Sequence, residues 1–192
     1  MLEISRPTVV TAATSSPISL SQAAKQCELN PDDADHQAQL NLLITEAREQ
    51  WEHDTDTFAI SQTLEITANT FDNPFPLVGR PVSAITFIKY YDENETLQTV
   101  SSSIYGLDTT RRLVRLNSLQ SWPTHSDRWD AVVVRYVAGY ASADAVPAIA
   151  KQAMLLLVAH YFENRDMLMS EAMSAMPAYE SLVRRFARST YP

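Results

Sequence analysis

Hydrophobic and polar positions along the chain follow two different periods, and the places where the period changes divide it. Leu40, Leu43, Ile44, Ala47 and Trp51 recur three and four residues apart, the spacing of one face of a helix. That pattern predicts a helix from about Asp33 to about Asp54. Asn30 or Asp32 can cap it, and the acids at its start suit the positive end of the helix dipole. Upstream, Ser19-Leu20-Ser21-Gln22 reads as a capping box, so a short helix is expected over roughly Leu20–Glu28. Leu20, Ala23, Ala24 and Cys27 fall on one side of it.

From Phe58 the period becomes two. Gln62, Leu64, Ile66 and Ala68 alternate with Thr63, Glu65 and Thr67, which predicts a strand. Further strands are expected over Ala84–Tyr91, Thr96–Val100, Ser103–Leu107, Leu113–Leu116 and Ala131–Ala138. Asp92-Glu93-Asn94-Glu95 forms a hairpin turn between the first two of these. About six short strands suggest one antiparallel sheet between two helical regions. Gly139, one of three glycines, ends the last strand and is expected where the backbone needs positive φ or close approach.

The helical period then returns. Pro147 suits a first helical position, and Ile149, Ala153, Leu156, Leu157 and Tyr161 form a stripe that Met154, Leu155, Val158 and Phe162 widen. An apolar arc this broad exceeds what one globular face requires. It implies a helix central to its own domain or packed on a neighbouring molecule as well. Asn164 and Arg165 mark its end. Asp166–Met176 is methionine-rich, suited either to a loose connector or to an adaptable contact surface. After Pro177 a last helix sets Tyr179, Leu182, Val183 and Phe186 on one side and Arg184, Arg185 and Arg188 on much of the other.

The fold class is therefore α+β. A helical core (an N-terminal helix pair plus the long later helix) carries an inserted antiparallel β subdomain and a final short helix. The expected parts are an extended arm over 1–17, helical segments over 18–57 and 141–165, a β insert over 58–140, and the connector with a docking helix over 166–192.

Composition narrows the classes. The chain has 192 residues, of which 45% are apolar, enough for a sizeable core. A single cysteine, Cys27, rules out an intramolecular disulfide and a cysteine-based zinc site. The opening residues do not form a signal peptide, and the run Ala153–Ala159 is too short to span a bilayer, so a soluble protein with no membrane partner is expected. The net charge of −8 argues against a general nucleic-acid binder. It is unevenly placed: Gln26–Asp56 holds nine acids against Arg48 alone, whereas Ala178–Pro192 holds three arginines against Glu180.

Candidate chemistry is sparse. There is no glycine-rich phosphate loop, no Gly-x-Ser-x-Gly and no His-Glu-x-x-His. No catalytic, cofactor-binding or metal residues are assigned, and no cofactor is expected. His36 with Asp32 and Asp33, or His53 with Asp54 and Asp56, lack metal-specific spacing and read as solvated helix ends. His125 with Asp127 is the best acid–base pair, but no nucleophile accompanies it. Phe87, Tyr90 and Tyr91 could stack on nucleic acid, but only Lys89 supplies a positive charge nearby, so sheet core and rim is the plainer reading.

Several of these residues together resemble a family. They are the helix pair SLSQAAKQCEL…DHQAQLNLLITEAREQWE, the motif of Val134, Tyr136, Ala138, Gly139 and Tyr140, then Val146-Pro147, the run Ala153–Tyr161 with His160, Asn164-Arg165, and the ending Ala178–Val183. In that order, over about Ile18–Arg188, the chain resembles the head–tail connector (adaptor) proteins of tailed bacteriophages and prophages. One departure is His53–Thr57, where many relatives carry a Thr-Gly-Arg-like helix end, so the family's loop shape is not carried over there.

The resemblance implies a structural, non-enzymatic role in the virion neck, with the host cytoplasm as the site of assembly. Partners would be further copies in a ring, typically twelve-fold, together with the portal protein and the next neck or stopper protein. Genome DNA would pass through the channel without specific binding. On this reading Met154, Leu155, Val158, Phe162, Tyr179, Leu182, Arg184, Arg185, Phe186 and Arg188 form partner interfaces. Glu46, Glu49 and Glu52 face the channel, where they repel phosphates. The alternatives are a small hydrolase or lyase around His125 and Asp127, or a monomeric binding module that uses its β-sheet.

Overall fold

The computed structural model describes residues 1–164 and 176–189. The chain divides into two compact units, Met1–Ala13 with Ser61–Tyr140, and Thr14–Ile60 with the residues from Ala141 onward.

The first unit holds the eight strands found among the described residues: β1 (Thr8–Thr11), β2 (Gln62–Ala68), β3 (Phe75–Pro76), β4 (Val82–Tyr91), β5 (Leu97–Thr99), β6 (Tyr105–Asp108), β7 (Leu113–Leu116) and β8 (Val132–Ala138). They form two sheets rather than the single sheet expected: a five-stranded one in the order β1-β2-β8-β4-β5 and a three-stranded one in the order β3-β7-β6. All pairings are antiparallel. The two-residue period works as anticipated on β2 and β8. Leu64, Ile66 and Ala68 are buried with Val132, Val134, Tyr136 and Ala138, and the register sets Leu64 against Tyr136 and Ile66 against Val134. Burying alternate side chains of adjacent strands fixes that register, since a one-residue slip would turn each buried set outward. Gly139 has φ 111°, a left-handed region that glycine enters without steric cost, and its N–H donates to Pro81 O at 2.8 Å.

β1 lies in the segment expected to be an extended arm, and it pairs with β2 at the sheet edge. β3 escapes the sequence pattern because it is only two residues long, yet Phe75 is buried opposite Val114 of β7.

The second unit holds α1 (Leu20–Gln26), α2 (Ala34–Thr55), a 3-10 turn (Ala143–Ala145), α3 (Ala148–Glu163) and α4 (Pro177–Ser189). The capping box of α1 forms as read: Gln22 N–H donates to Ser19 Oγ at 3.1 Å, and Ser19 N–H donates to Gln22 Oε1 at 2.8 Å. The cap of α2 is Asp33, not Asn30 or Asp32, and its carboxylate accepts from Asp35 N–H. Asn30 instead accepts from Asp32 N–H in the preceding turn. Leu40, Ile44, Ala47 and Trp51 of α2 are buried, as their spacing predicts. α3 packs on α1, α2 and α4, so it is central to this unit. No helix among the described residues is long and apolar enough to cross a membrane. The methionine-rich segment, apart from Met176, lies outside the described residues.

Candidate functional site

The inward stripe of α3 is Ala150, Ala153, Met154, Leu157 and Val158, all buried. This corrects two of the expected interface residues. Met154 and Val158 fill the core of their own unit and offer no free surface. Ile149, Leu155, Leu156, Ala159, Tyr161 and Phe162 are half-buried.

The same correction applies on α4. Tyr179 and Phe186 were expected to face a partner, but they are 4% and 1% exposed. Phe186 meets Trp51 of α2 edge-on, with ring centroids 5.2 Å apart. Tyr179 donates its phenol proton to Asp54 Oδ2 at 2.7 Å. Burial, then that bond and the Asp54 charge, push the Tyr179 phenol far above its ordinary range. These residues hold α4 on the body of the unit. Elsewhere on α4, Arg184 and Arg185 are exposed and Leu182 and Val183 are half-buried. Arg184 pairs with Glu180 one turn earlier at 3.1 Å. The Arg188 side chain lies outside the described residues.

The three acids on α2 do not share one environment. The Glu49 side chain is 68% exposed and lies 3.7 Å from Arg48. Glu46 is half-buried near Tyr161, where burial first, and then the charges of Glu46 and Asp54, raise the phenol pKa to about 12. Glu52 turns inward: only 12% of its side chain is exposed, and it accepts from Ala59 N–H at 2.8 Å. It closes the turn after α2, so it is not a channel-facing acid. Its local sequence gave no sign of this, because the bond reaches seven residues ahead.

Among the described residues, five buried polar atoms in the helical unit, His36 Nδ1, Arg48 Nε, Trp51 Nε1, His160 Nε2 and Tyr161 Oη, have no hydrogen-bond partner. His160 is otherwise engaged at the end of α3, where its Nδ1 accepts from Asn164 Nδ2 at 3.3 Å. The one cysteine, Cys27, is half-buried, and burial followed by the charge of Glu163 raises its pKa, which keeps it in the unreactive thiol form.

In the strand unit, His125 contacts Ser126 O through Nδ1 at 2.9 Å and Thr70 Oγ1 through Nε2 at 3.1 Å. The carbonyl requires Nδ1 to carry the proton, leaving Nε2 to accept from the Thr70 hydroxyl. Both nitrogens serve the fold, and neither meets Asp127. Phe71 stacks on Trp122 at 4.7 Å and meets His125 edge-on, so this loop is an aromatic cluster. Phe87, Tyr90 and Tyr91 do not form a platform. Tyr90 meets Phe71, Tyr91 lies under Arg128, and Phe87 lies under Arg135. Arg135 also forks onto Glu65 Oε2 at 2.7 and 2.9 Å. Among the described residues, no three His, Cys, Asp or Glu side chains converge as a metal site would require.

No family model and no curated protein matches the sequence. Solved structures do. A chain from the neck of an empty gene transfer agent particle, computed with C6 symmetry, superposes with TM-score 0.77 over 95% of each chain at 22% identity. The chain has the fold of a gene transfer agent neck protein. A chain of the native gene transfer agent virion matches with TM-score 0.74 over 93% of each chain at 24% identity. A third, from the native particle neck computed with C12 symmetry, gives TM-score 0.69 over 95% of this chain and 94% of its own, at 22% identity. This agrees with the likeness to phage connector proteins carried by the Val134–Tyr140 motif and the helices around it.

Proposed function

We propose that this chain is a structural subunit of a phage-type neck, an adaptor that forms a ring beneath the portal. The observation that carries the proposal is the fold shared over 93–95% of both chains with proteins of neck and virion structures. Necks of this kind computed with C6 and C12 symmetry support a closed homo-oligomer, twelve-fold on the reading advanced here. The ring extends the DNA channel, docks the next neck protein and resides in the virion, after assembly in the host cytoplasm.

Within the ring, Leu155 and Phe162, half-buried on α3, pack against a neighbour. Leu182, Arg184, Arg185 and Arg188 of α4 supply the portal-facing surface. Glu49, with Glu46 behind it, borders the channel and keeps DNA from adhering. The test is co-sedimentation of the full chain with purified portal. Wild type co-sediments, and reversal of Arg184, Arg185 and Arg188 to Glu weakens attachment at least tenfold. Unchanged affinity in the triple variant sinks the α4 assignment. Failure of the wild type to associate sinks the adaptor reading itself.

A further inference from the structure

Both edges of the five-stranded sheet are open to solvent. β1 and β5 contain no charged residue, and every residue in both is exposed. Val9, Val10 and Leu97 expose 47%, 43% and 45% of their surfaces. An uncharged, partly apolar edge strand is a template for pairing with another chain.

The topology says which edge meets which. Five strands, each antiparallel to its neighbour, leave the two edges running in the same direction. A rotation about an axis roughly along the strands therefore brings β5 of one copy beside β1 of the next as a parallel pair. Repeating it closes a ring. A two-fold axis would instead pair β1 with β1, or β5 with β5, antiparallel. The flanking charges select a register. Arg6 lies two residues before β1 and Glu95 two residues before β5, and both are exposed. With Thr8 opposite Leu97 and Val9 opposite Gln98, Arg6 and Glu95, the latter in the β4–β5 turn with φ 57°, lie at the same end of the pair, just outside the ladder. Opposite charges across a strand pair stabilise it. The irregularity in β1 between Val9 and Thr11 confines the shared ladder to the residues up to Val9.

We propose that β1 of one copy adds in parallel to β5 of the next, with Arg6 and Glu95 at the shared end of the pair, so that the sheet continues around the ring. The proposal rests on the ring reading above and gives it a defined subunit interface.

The test uses the full chain, assembled alone or on portal, with Cys27→Ser as background. Oxidation of the paired variant Val9→Cys/Gln98→Cys should give a ladder of covalent oligomers extending beyond the dimer. Each single variant should give none, and a mixture of the two should give dimers only. In the wild-type background, Arg6→Glu or Glu95→Arg should each lower the assembled fraction several-fold, and the two together should restore it. A ring that forms normally but does not cross-link, or is indifferent to the charge swap, overturns the edge pairing and leaves the ring reading standing. A disulfide dimer from Val9→Cys alone indicates two-fold pairing and also overturns it. Failure of the wild-type chain to assemble even with portal overturns both.

Discussion

Phe186→Ala tests how the last helix is held. Phe186 is 1% exposed and packs edge-on against Trp51, itself fully buried, at 5.2 Å. Truncating a buried Phe to Ala costs about 3–5 kcal/mol, which includes the cavity left behind. The aromatic pairing accounts for roughly 0.5–1.5 kcal/mol of the interaction beyond area burial. The Tyr179–Asp54 hydrogen bond survives the change, so α4 is loosened and not released outright. Because α4 contacts chiefly α3, and α2 less, the loss should fall on its docking more than on the sheet. At about 1.4 kcal/mol per decade, the middle of that range lowers the docked-to-undocked ratio by roughly three orders of magnitude. Hydrogen exchange resolved by peptide measures this directly. Amides of Pro177–Ser189 should lose protection in Phe186→Ala, while those of β2 and β8 keep theirs. Phe186→Leu, which retains much of the volume, should show well under half the effect. Unchanged exchange in α4, or an equal loss across the sheet, would refute the view that Phe186 and Trp51 hold this helix.

Other expectations follow from single contacts. Ser19→Ala removes half of the capping box and should cost about 1 kcal/mol in denaturant unfolding, with Gln22→Ala in addition costing little more. Glu52→Ala leaves Ala59 N–H without its partner in a part-buried site and should destabilise by about 1–3 kcal/mol, whereas Glu49→Ala should change stability by less than ~0.5 kcal/mol. Tyr161→Phe deletes a buried hydroxyl that has no hydrogen-bond partner among the described residues, so thermal unfolding should be unchanged or slightly raised. The same phenol titrates at about 12 in the folded chain, above its ordinary value of 10. Its contribution to stability is therefore complete below pH 10 and is lost as pH rises towards 12. Ultraviolet phenolate titration should show that late step in the wild type and lack it in Tyr161→Phe.

Local signals wrote much of this fold into the sequence. Ser19 and Gln22 act within three residues of each other, and the alternation over Gln62–Ala68 and Ala131–Ala138 reports a sheet with one face inside. Gly139 stood out because glycine is so scarce here. Edge and cross-chain features left no comparable trace. Every residue of β1 is exposed, so Thr8–Thr11 shows no alternation. β3 is too short to have a period. On α3 the pattern could not identify the inward side, because every position from Ala153 to Ala159 is apolar, and so Met154 and Val158 were indistinguishable from Leu155. On α4, Tyr179 and Phe186 share an apolar face that pattern alone cannot assign to the same chain or to a neighbour. Their partners, Asp54 and Trp51, lie more than a hundred residues away. Glu52 read as one more surface acid for the same reason: its role depends on where Ala59 returns.

The most direct test of a neck location is to find the chain in assembled particles. A full-length chain with a short epitope should complement particle assembly, and antibody–gold should label the head–tail junction of each particle at a single position. Label over the capsid shell or tail tip, or full-yield particles that lack the chain altogether, would contradict the account.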